Sequence, residues 1–272
     1  MSFKELEIAG WSEAGRAEAY ERVVGRVTAR VIEPLLDAAR VGPGTRLLDV
    51  ATGPGHVAGA AAARGAETVG VDISEEMLAR ARNLYPGIDF RRADAESLPF
   101  EDGAFDAVVA AFLLHHVPSP ERVVGELARV ARRVAVAQWD VSSRARLLGL
   151  ITDAIAATGV EPPADKPVGP SRERLAGDEE LRRLLEGAGL VDVELSTVAF
   201  EQHLSGTDEL WEGVLGGSVN TRAIVLAQPL GVQARIRAEL ERLAEPHRRE
   251  HGIDVPVSVR IATARRPCRP RK

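Results

Sequence analysis

Residues 47–58 read "LLDVATGPGHVA". A run of apolar strand formers carries Asp49 near its end, breaks at Gly53 and Gly55, and passes into small, helix-forming residues. A strand, a glycine turn and a helix in that order make a loop that holds nucleotides, because glycines let backbone N–H groups approach a ligand at the helix N-terminus. As a dinucleotide fingerprint, "GPGHVA" fits G-x-G-x-x-G loosely, with Ala58 in the place of the last glycine. Against that fit, Asp49 would set a negative charge beside a pyrophosphate, where Coulomb repulsion is unfavourable. A ligand with no phosphate and a net positive charge reverses the argument.

From residue 46 onward, short apolar runs alternate with amphipathic helical patterns: "RLLDVA" strand, "HVAGAAAARG" helix, "TVGVD" strand, "SEEMLARARNLY" helix, "IDFRRAD" and "FDAVVAAF" strands, "SPERVVGELARVARR" helix, "VAVAQWD" strand. Alternation of this kind means parallel strands with crossover helices, a doubly wound α/β sheet. Ser74, with Glu75 and Glu76 behind it, is a good helix N-cap. Before the loop, residues 12–40 place Tyr20, Val23, Val24, Val27, Val31 and Leu35 at helical intervals and read as leading helices. After Asp140 the pattern is helical to about Thr158, and "GVEPPADKPVGPSRERLAGD" (159–178) reads as a mobile loop or lid. A helix "ELRRLLEGAGL" and a strand "LVDVELSTVAF" follow, then three helical segments, the last being 231–250, and "VPVSVRIATAR" finishes the sheet. The expected division is N-terminal helices at 1–40, a core at 41–200, a helical insertion at 201–254, and a last strand with a basic tail at 255–272.

The 272 residues, 45% hydrophobic and 28% charged, suffice to bury a core without staples. No apolar run has the length of a membrane span, and the start "MSFKELEIAG" lacks the regions of a secretion signal, so the expectation is a cytoplasmic chain with no membrane partner. Cys268 is the only cysteine, which excludes an intramolecular disulfide and a cysteine metal cluster. The net charge of −5 argues against nucleic acid as a partner. "HRREH" at 247–251 satisfies the H-x-x-E-H pattern of some metalloproteases, but only Asp254 among the acids follows it; it reads as an exposed helix end with no metal.

"DVATGPG" resembles the first motif of class I S-adenosylmethionine-dependent methyltransferases, an acid followed by glycines at the second, fourth and sixth positions. Asp49, Gly53 and Gly55 match. Ala51 departs at the first glycine, so either its backbone keeps negative φ or the cofactor sits slightly away. The resemblance implies a Rossmann-like, mostly parallel seven-stranded sheet with an antiparallel last strand and a helical cap. S-adenosylmethionine is then the cofactor, and its ammonium and sulfonium suit Asp49. It further implies that Asp72 takes the ribose hydroxyls, that Asp94 takes the adenine amino group with Ala95 offering backbone to the ring, and that Ile73 and Met77 flank the adenine. Ala111 and Phe112 complete the implied cofactor contacts, and Trp11 and Tyr20 resemble the N-terminal aromatics that close over the cofactor. The stretch "AAFLLHHVPSPERVVGELARVARRVAVAQWD" is similar to the small-molecule branch that includes ubiquinone and menaquinone C-methyltransferases and natural-product methyltransferases, although the proline-glycine-glycine turn usual there is missing. The Asn- or Asp-Pro-Pro-aromatic motif of enzymes that methylate nucleic-acid bases does not occur.

Methyl transfer from a sulfonium is an in-line displacement in which positioning supplies much of the acceleration. Where the acceptor must lose a proton, His116 and its neighbour His115, just after the fourth strand, are the candidate bases. Gln138, Trp139 and Asp140 end the fifth strand and are candidates for the acceptor site, with Trp11 from the N-terminal helices and Trp211, Asn220 and Arg222 from the insertion. The expected partner is a small organic acceptor, and the expected state a monomer or homodimer. Two alternatives keep the cofactor pocket: a non-methylating enzyme such as a cyclase, and a cofactor sensor or scaffold.

Overall fold

A computed structural model describes residues 1–267; Cys268 and the rest of the basic tail lie outside the described residues. Strands β1 (Arg46–Val50), β2 (Glu67–Asp72), β3 (Asp89–Arg92), β4 (Phe105–Ala111) and β5 (Ala131–Trp139) are parallel and lie in the order β3-β2-β1-β4-β5. The sheet continues through β8 (Gly252–Arg265), antiparallel to β5, to β6 (Val191–Leu204), antiparallel to β8. A two-residue strand, β7 (Arg248–Arg249), pairs with the start of β8. The expected doubly wound, mostly parallel sheet is therefore present, with one short strand more than the seven expected.

Alternate residues of the central strands enter two separate cores. Leu47, Ala107, Val109, Ala135 and Ala137 face one, with α2 (Arg16–Ala38) and α6 (Arg146–Ala157). Leu48, Val50, Val108, Val134 and Val136 face the other, with α5 (Pro120–Val130) and α8 (Asp178–Gly187). Both faces are thus covered by helices, which is why these strands read as continuous apolar runs. Helices α3 (His56–Ala63) and α4 (Glu75–Leu84) are the first crossovers, and Ser74 caps α4 by accepting from the Met77 N–H at 3.2 Å.

Two boundaries differ from the sequence reading. Residues 131–133, expected in a helix, belong to β5: α5 runs into the strand with no turn between them, which accounts for the missing proline-glycine-glycine. The last long helix, α11 (Leu230–Ala244), stops well short of residue 250, because Pro246 has no N–H to continue the ladder. "HRREH" consequently spans a 3-10 turn (Glu245–His247) and the β7–β8 hairpin rather than a helix end.

The cap comes from both ends of the chain. Helices α9 (Thr207–Gly217) and α10 (Val219–Leu226) precede α11, and α1 (Phe3–Trp11) packs on α10 and α2. Arg16, 3% exposed, joins them: its guanidinium donates to the Gly10 carbonyl at 2.8 Å and to Leu215 and Gly216 at 3.2 and 2.9 Å. One cation thereby satisfies the carbonyls at the ends of two helices. Among the described residues no helix is long and apolar enough to cross a membrane.

Candidate active site

The carboxyl ends of β1 to β5 open into one cavity of about 560 Å³, closed from above by α1, α10 and the segment after α6. Crevices at this edge are where open α/β sheets bind ligands. The loop after β1 is built by Asp49. Its carboxylate is 1% exposed and accepts from the Thr52 hydroxyl at 2.6 Å and the Ala58 N–H at 3.1 Å, so it holds the turn together and does not itself line the cavity. Burial pushes its pKa up to about 7, against the lowering effect of those two bonds.

Ala51, which does line the cavity, has φ +57°, so the alternative of a negative φ is overturned: an alanine occupies the left-handed conformation that glycine adopts freely. Gly53 (φ +53°) also lines the cavity, and a side chain there would meet open space. Gly55 does not line it. A Cβ at Gly55 would lie 2.8 Å from the Phe90 ring, so this glycine is required for packing the loop on β3.

Asp72 lines the cavity at the end of β2. One oxygen accepts from the Gly53 N–H and the other from the Ser74 N–H, both at 2.9 Å. Each oxygen keeps a further lone pair, so the pair can accept two hydroxyls from a ligand. Burial raises the Asp72 pKa, against backbone hydrogen bonds that lower it. Ile73, Met77, Asp94 and Ala95 line the same end. Asp94 is already engaged: one oxygen takes the Glu96 N–H at 3.0 Å, and the other is ion-paired with Lys4 of α1.

Ala111 and Phe112 line the middle of the cavity. Phe112 has φ +58°, a strained backbone for a bulky side chain, held by its N–H on the Ala137 carbonyl at 2.8 Å and by its ring against Trp139, centroids 4.7 Å apart. His115 and His116 sit together in the 3-10 turn after β4, rings 4.0 Å apart, and both line the cavity. Burial, then the neighbouring His116 and Arg172, hold the His115 pKa well below its ordinary value, and the Gln138 amide lies against its Nδ1, with Nε2 at 3.1 Å and Oε1 at 3.3 Å. His115 is a neutral group whose Nδ1 is occupied.

His116 differs. Its Nδ1 lies 2.8 Å from Glu7 Oε2, which also accepts from Trp11 Nε1 at 3.0 Å, and its Nε2 has no hydrogen-bond partner among the described residues. Glu7 is 4% exposed, and its Oε1 is buried without a partner. A carboxylate on Nδ1 fixes the tautomer that leaves the Nε2 lone pair free. Tyr20 and Trp11 line the cavity edge to face, 6.1 Å apart. The Tyr20 hydroxyl bonds Thr28 at 2.6 Å, and burial pushes its pKa up to about 12.

Of the acceptor candidates, Trp11, Trp139 and Asn220 line the cavity. Gln138 is fully buried behind His115, Asp140 is bonded to the Ser258 hydroxyl at 2.7 Å, Trp211 packs on the core, and Arg222 faces Glu13 at 3.6 Å; none of these four lines it. Sequence reasoning missed Lys4, Glu7, Lys166 and Arg172, all in the wall. Ser2 and Glu5 form a capping box at the start of α1, the one local signal that a helix carries the first two.

The pattern of the family described as a methyltransferase domain matches residues 48–136. Residues 48–136 are thus similar to a methyltransferase domain. Over 96 residues this chain is 48% identical to a phosphatidylethanolamine N-methyltransferase of Cereibacter sphaeroides, covering 33% of this chain and 47% of that one. It is 40% identical over 98 residues to a demethylmenaquinone methyltransferase of Renibacterium salmoninarum, covering 36% and 41%. The chain spans less than half the length of these curated relatives. The fold is shared with phosphoethanolamine N-methyltransferase 2 of Haemonchus contortus, solved in complex with S-adenosyl-L-methionine: TM-score 0.57, 17% identity, 98% of this chain and 60% of that one. The matched residues run from β1 into β5, so α1, α2, α6, α10 and the segment after α6, all of which line the cavity, lie outside them.

Proposed function

We propose that the protein transfers a methyl group from S-adenosylmethionine to a small organic acceptor. The observation that carries the reading is Asp72: a half-buried carboxylate at the cavity edge, with a spare lone pair on each oxygen, beside the open face of Gly53. Bound there, S-adenosylmethionine supplies an electrophilic methyl on a cationic sulfur. The acids around this end suit a cation: Asp72 and Asp94 face the cavity and Asp49 lies just behind the loop. Ala51 and Gly53 offer backbone, and Ile73, Met77 and Ala95 form the slot for a flat ring. Trp11 and Tyr20 exclude water above it, which strengthens every charge interaction inside. Where the acceptor loses a proton, His116 Nε2 receives it, and Glu7 on Nδ1 stabilises the imidazolium that results.

The test is calorimetry with S-adenosylhomocysteine on the wild type and Asp72→Ala, followed by mass spectrometry of a cell extract incubated with methyl-deuterated cofactor. Loss of two charge-assisted bonds should weaken binding by about 100-fold or more. Unchanged affinity, or cofactor turnover with no deuterated product, overturns the reading.

A further inference from the structure

The segment between α6 and α8 brings two cations into the cavity wall. Arg172, the first residue of the short helix α7 (Arg172–Leu175), and Lys166, in the segment before it, both line the cavity. The Arg172 side chain is 17% exposed, yet among the described residues its guanidinium makes a single hydrogen bond, to Ser142 Oγ at 2.7 Å. Its nearest carboxylate, Glu173, stands 3.7 Å away and is itself engaged with Ser142, accepting from the backbone N–H at 3.0 Å and from the hydroxyl. Lys166 Nζ donates to the Pro167 carbonyl at 3.2 Å and forms no ion pair with any described residue. The charge of Glu7 acts on Lys166; its Oε2 is bonded to His116 and Trp11, and its Oε1 has no hydrogen-bond partner among the described residues.

A guanidinium has five N–H donors, and a largely buried one with a single partner is poorly compensated. Burial lowers the pKa of Arg172 and of Lys166 alike, against the opposing charges of Glu173 and Asp153 on the one and of Glu7 on the other. Of the other charged groups in the wall, Asp94 and Glu96 are paired with Lys4, so the two cations of the segment between α6 and α8 are not matched by them. Leu148 and Ile155 of α6 and Ile224 of α10 line the same cavity.

The geometry points to an acceptor that carries an oxyanion, a carboxylate or a phosphate, on an apolar body. Arg172 and Lys166 hold the oxyanion, while Leu148, Ile155, Ile224 and the Phe112–Trp139 pair cover the body. A guanidinium fork matches the oxygen spacing of either anion. The two cations would orient the acceptor with its anionic end toward the segment between α6 and α8. This inference rests on the methyltransferase reading above and adds the chemical class of the acceptor.

The experiment is calorimetry on the full chain saturated with S-adenosylhomocysteine, titrated with 2-naphthoate, 2-naphthyl phosphate and the uncharged 2-naphthamide. At least one anion should bind about tenfold or more tightly than the amide. Whichever anion is preferred names the group. Arg172→Gln should remove most of that preference and Arg172→Lys, which keeps the charge, should retain part of it; the affinity of each variant for S-adenosylhomocysteine reports that it is folded. Equal binding of all three probes, binding of none, or a preference that survives Arg172→Gln combined with Lys166→Gln overturns the inference. A wild-type protein that fails to bind S-adenosylhomocysteine overturns the methyltransferase reading instead, whereas cofactor binding without anion preference overturns the acceptor class alone.

Discussion

Glu7 and His116 are 109 residues apart in the chain and 2.8 Å apart in the fold, a carboxylate of the N-terminal helix against the Nδ1 of an imidazole after β4. The helix that closes the cavity therefore also sets the tautomer of its candidate base. Glu7→Gln keeps the size of the side chain but lets the amide donate or accept, so the tautomer is no longer fixed. For an acceptor that loses a proton, kcat should fall by about 10- to 100-fold with KM little changed, and His116→Ala should fall further, by about 100-fold or more. Steady-state kinetics separate the two parameters. A Glu7→Gln enzyme that loses KM alone would mean that Glu7 binds the acceptor and does not orient the base.

Ala51 is held at φ +57°, where its Cβ crowds the following carbonyl. Ala51→Gly removes that strain and the methyl that lines the cavity. After allowance for the greater freedom of glycine in the unfolded chain, a gain of roughly 0.5–1 kcal/mol is expected. Urea denaturation should show a higher midpoint at unchanged slope, and a lower midpoint would mean that the methyl makes packing contacts that outweigh the strain.

Much of this site is written locally. The strand-turn-helix at 46–63, the Ser74 cap and the acids at the ends of β1, β2 and β3 follow from alternation, glycine placement and capping, each decided within a few residues. The roles of those acids are less local. Asp49 looks like a ligand group in sequence, but its partners Thr52 and Ala58 turn it into the brace of its own loop. The other half of the wall was not legible for the same reason: Lys4, Glu7, Lys166 and Arg172 sit in a helix before the recognisable pattern and in a proline-rich segment, and nothing near them in sequence says that both fold back over the sheet. The boundary at Ala244 is set by Pro246, which ends the helix although the charged, helix-forming residues continue to 250.

The buried carboxyl of Asp49 predicts a pH dependence. Its folded pKa, raised from 3.8 to about 7, exceeds the unfolded value, so the folded protein binds more protons across that interval. The associated stability is fully present below about pH 4, declines as pH rises, and is gone above about pH 7, at a rate on the order of 1.4 kcal/mol per pH unit at most. Asp49→Asn has no such term and keeps an oxygen for Thr52 and Ala58. Without ligand, the stability difference between wild type and variant should therefore move against the wild type from pH 5 to pH 8. Parallel denaturation curves at the two pH values would remove Asp49 as the titrating group.

Lys4 offers the last test, because it latches α1 onto the carboxylate assigned to the adenine end. Burial lowers the Lys4 pKa, but its bonds to Asp94 and Glu96 outweigh that effect and raise it, and the Asp94 carboxyl is correspondingly lowered in spite of its own burial. The ammonium is about one-third exposed, at 32%, so each pair contributes no more than about 1 kcal/mol after solvent screening. Together they still matter locally, because α1 is nine residues long, and its other polar ties to the core are the Glu7 bond, the bond from Ser74 Oγ to the Trp11 carbonyl at 2.7 Å and the Arg16 contact at Gly10. Lys4→Met removes both pairs and keeps the length of the stem. Amides of α1 should then exchange several-fold faster in the ligand-free protein, and S-adenosylhomocysteine should dissociate faster, since Ile8 and Trp11 of the same helix cover its proposed site. Asp94→Asn should loosen α1 to a smaller degree, because Glu96 still holds Lys4 at 2.8 Å. If exchange in α1 is unaltered by Lys4→Met, apolar packing through Phe3, whose ring lies against Gly169, holds the helix down and the ion pairs do not.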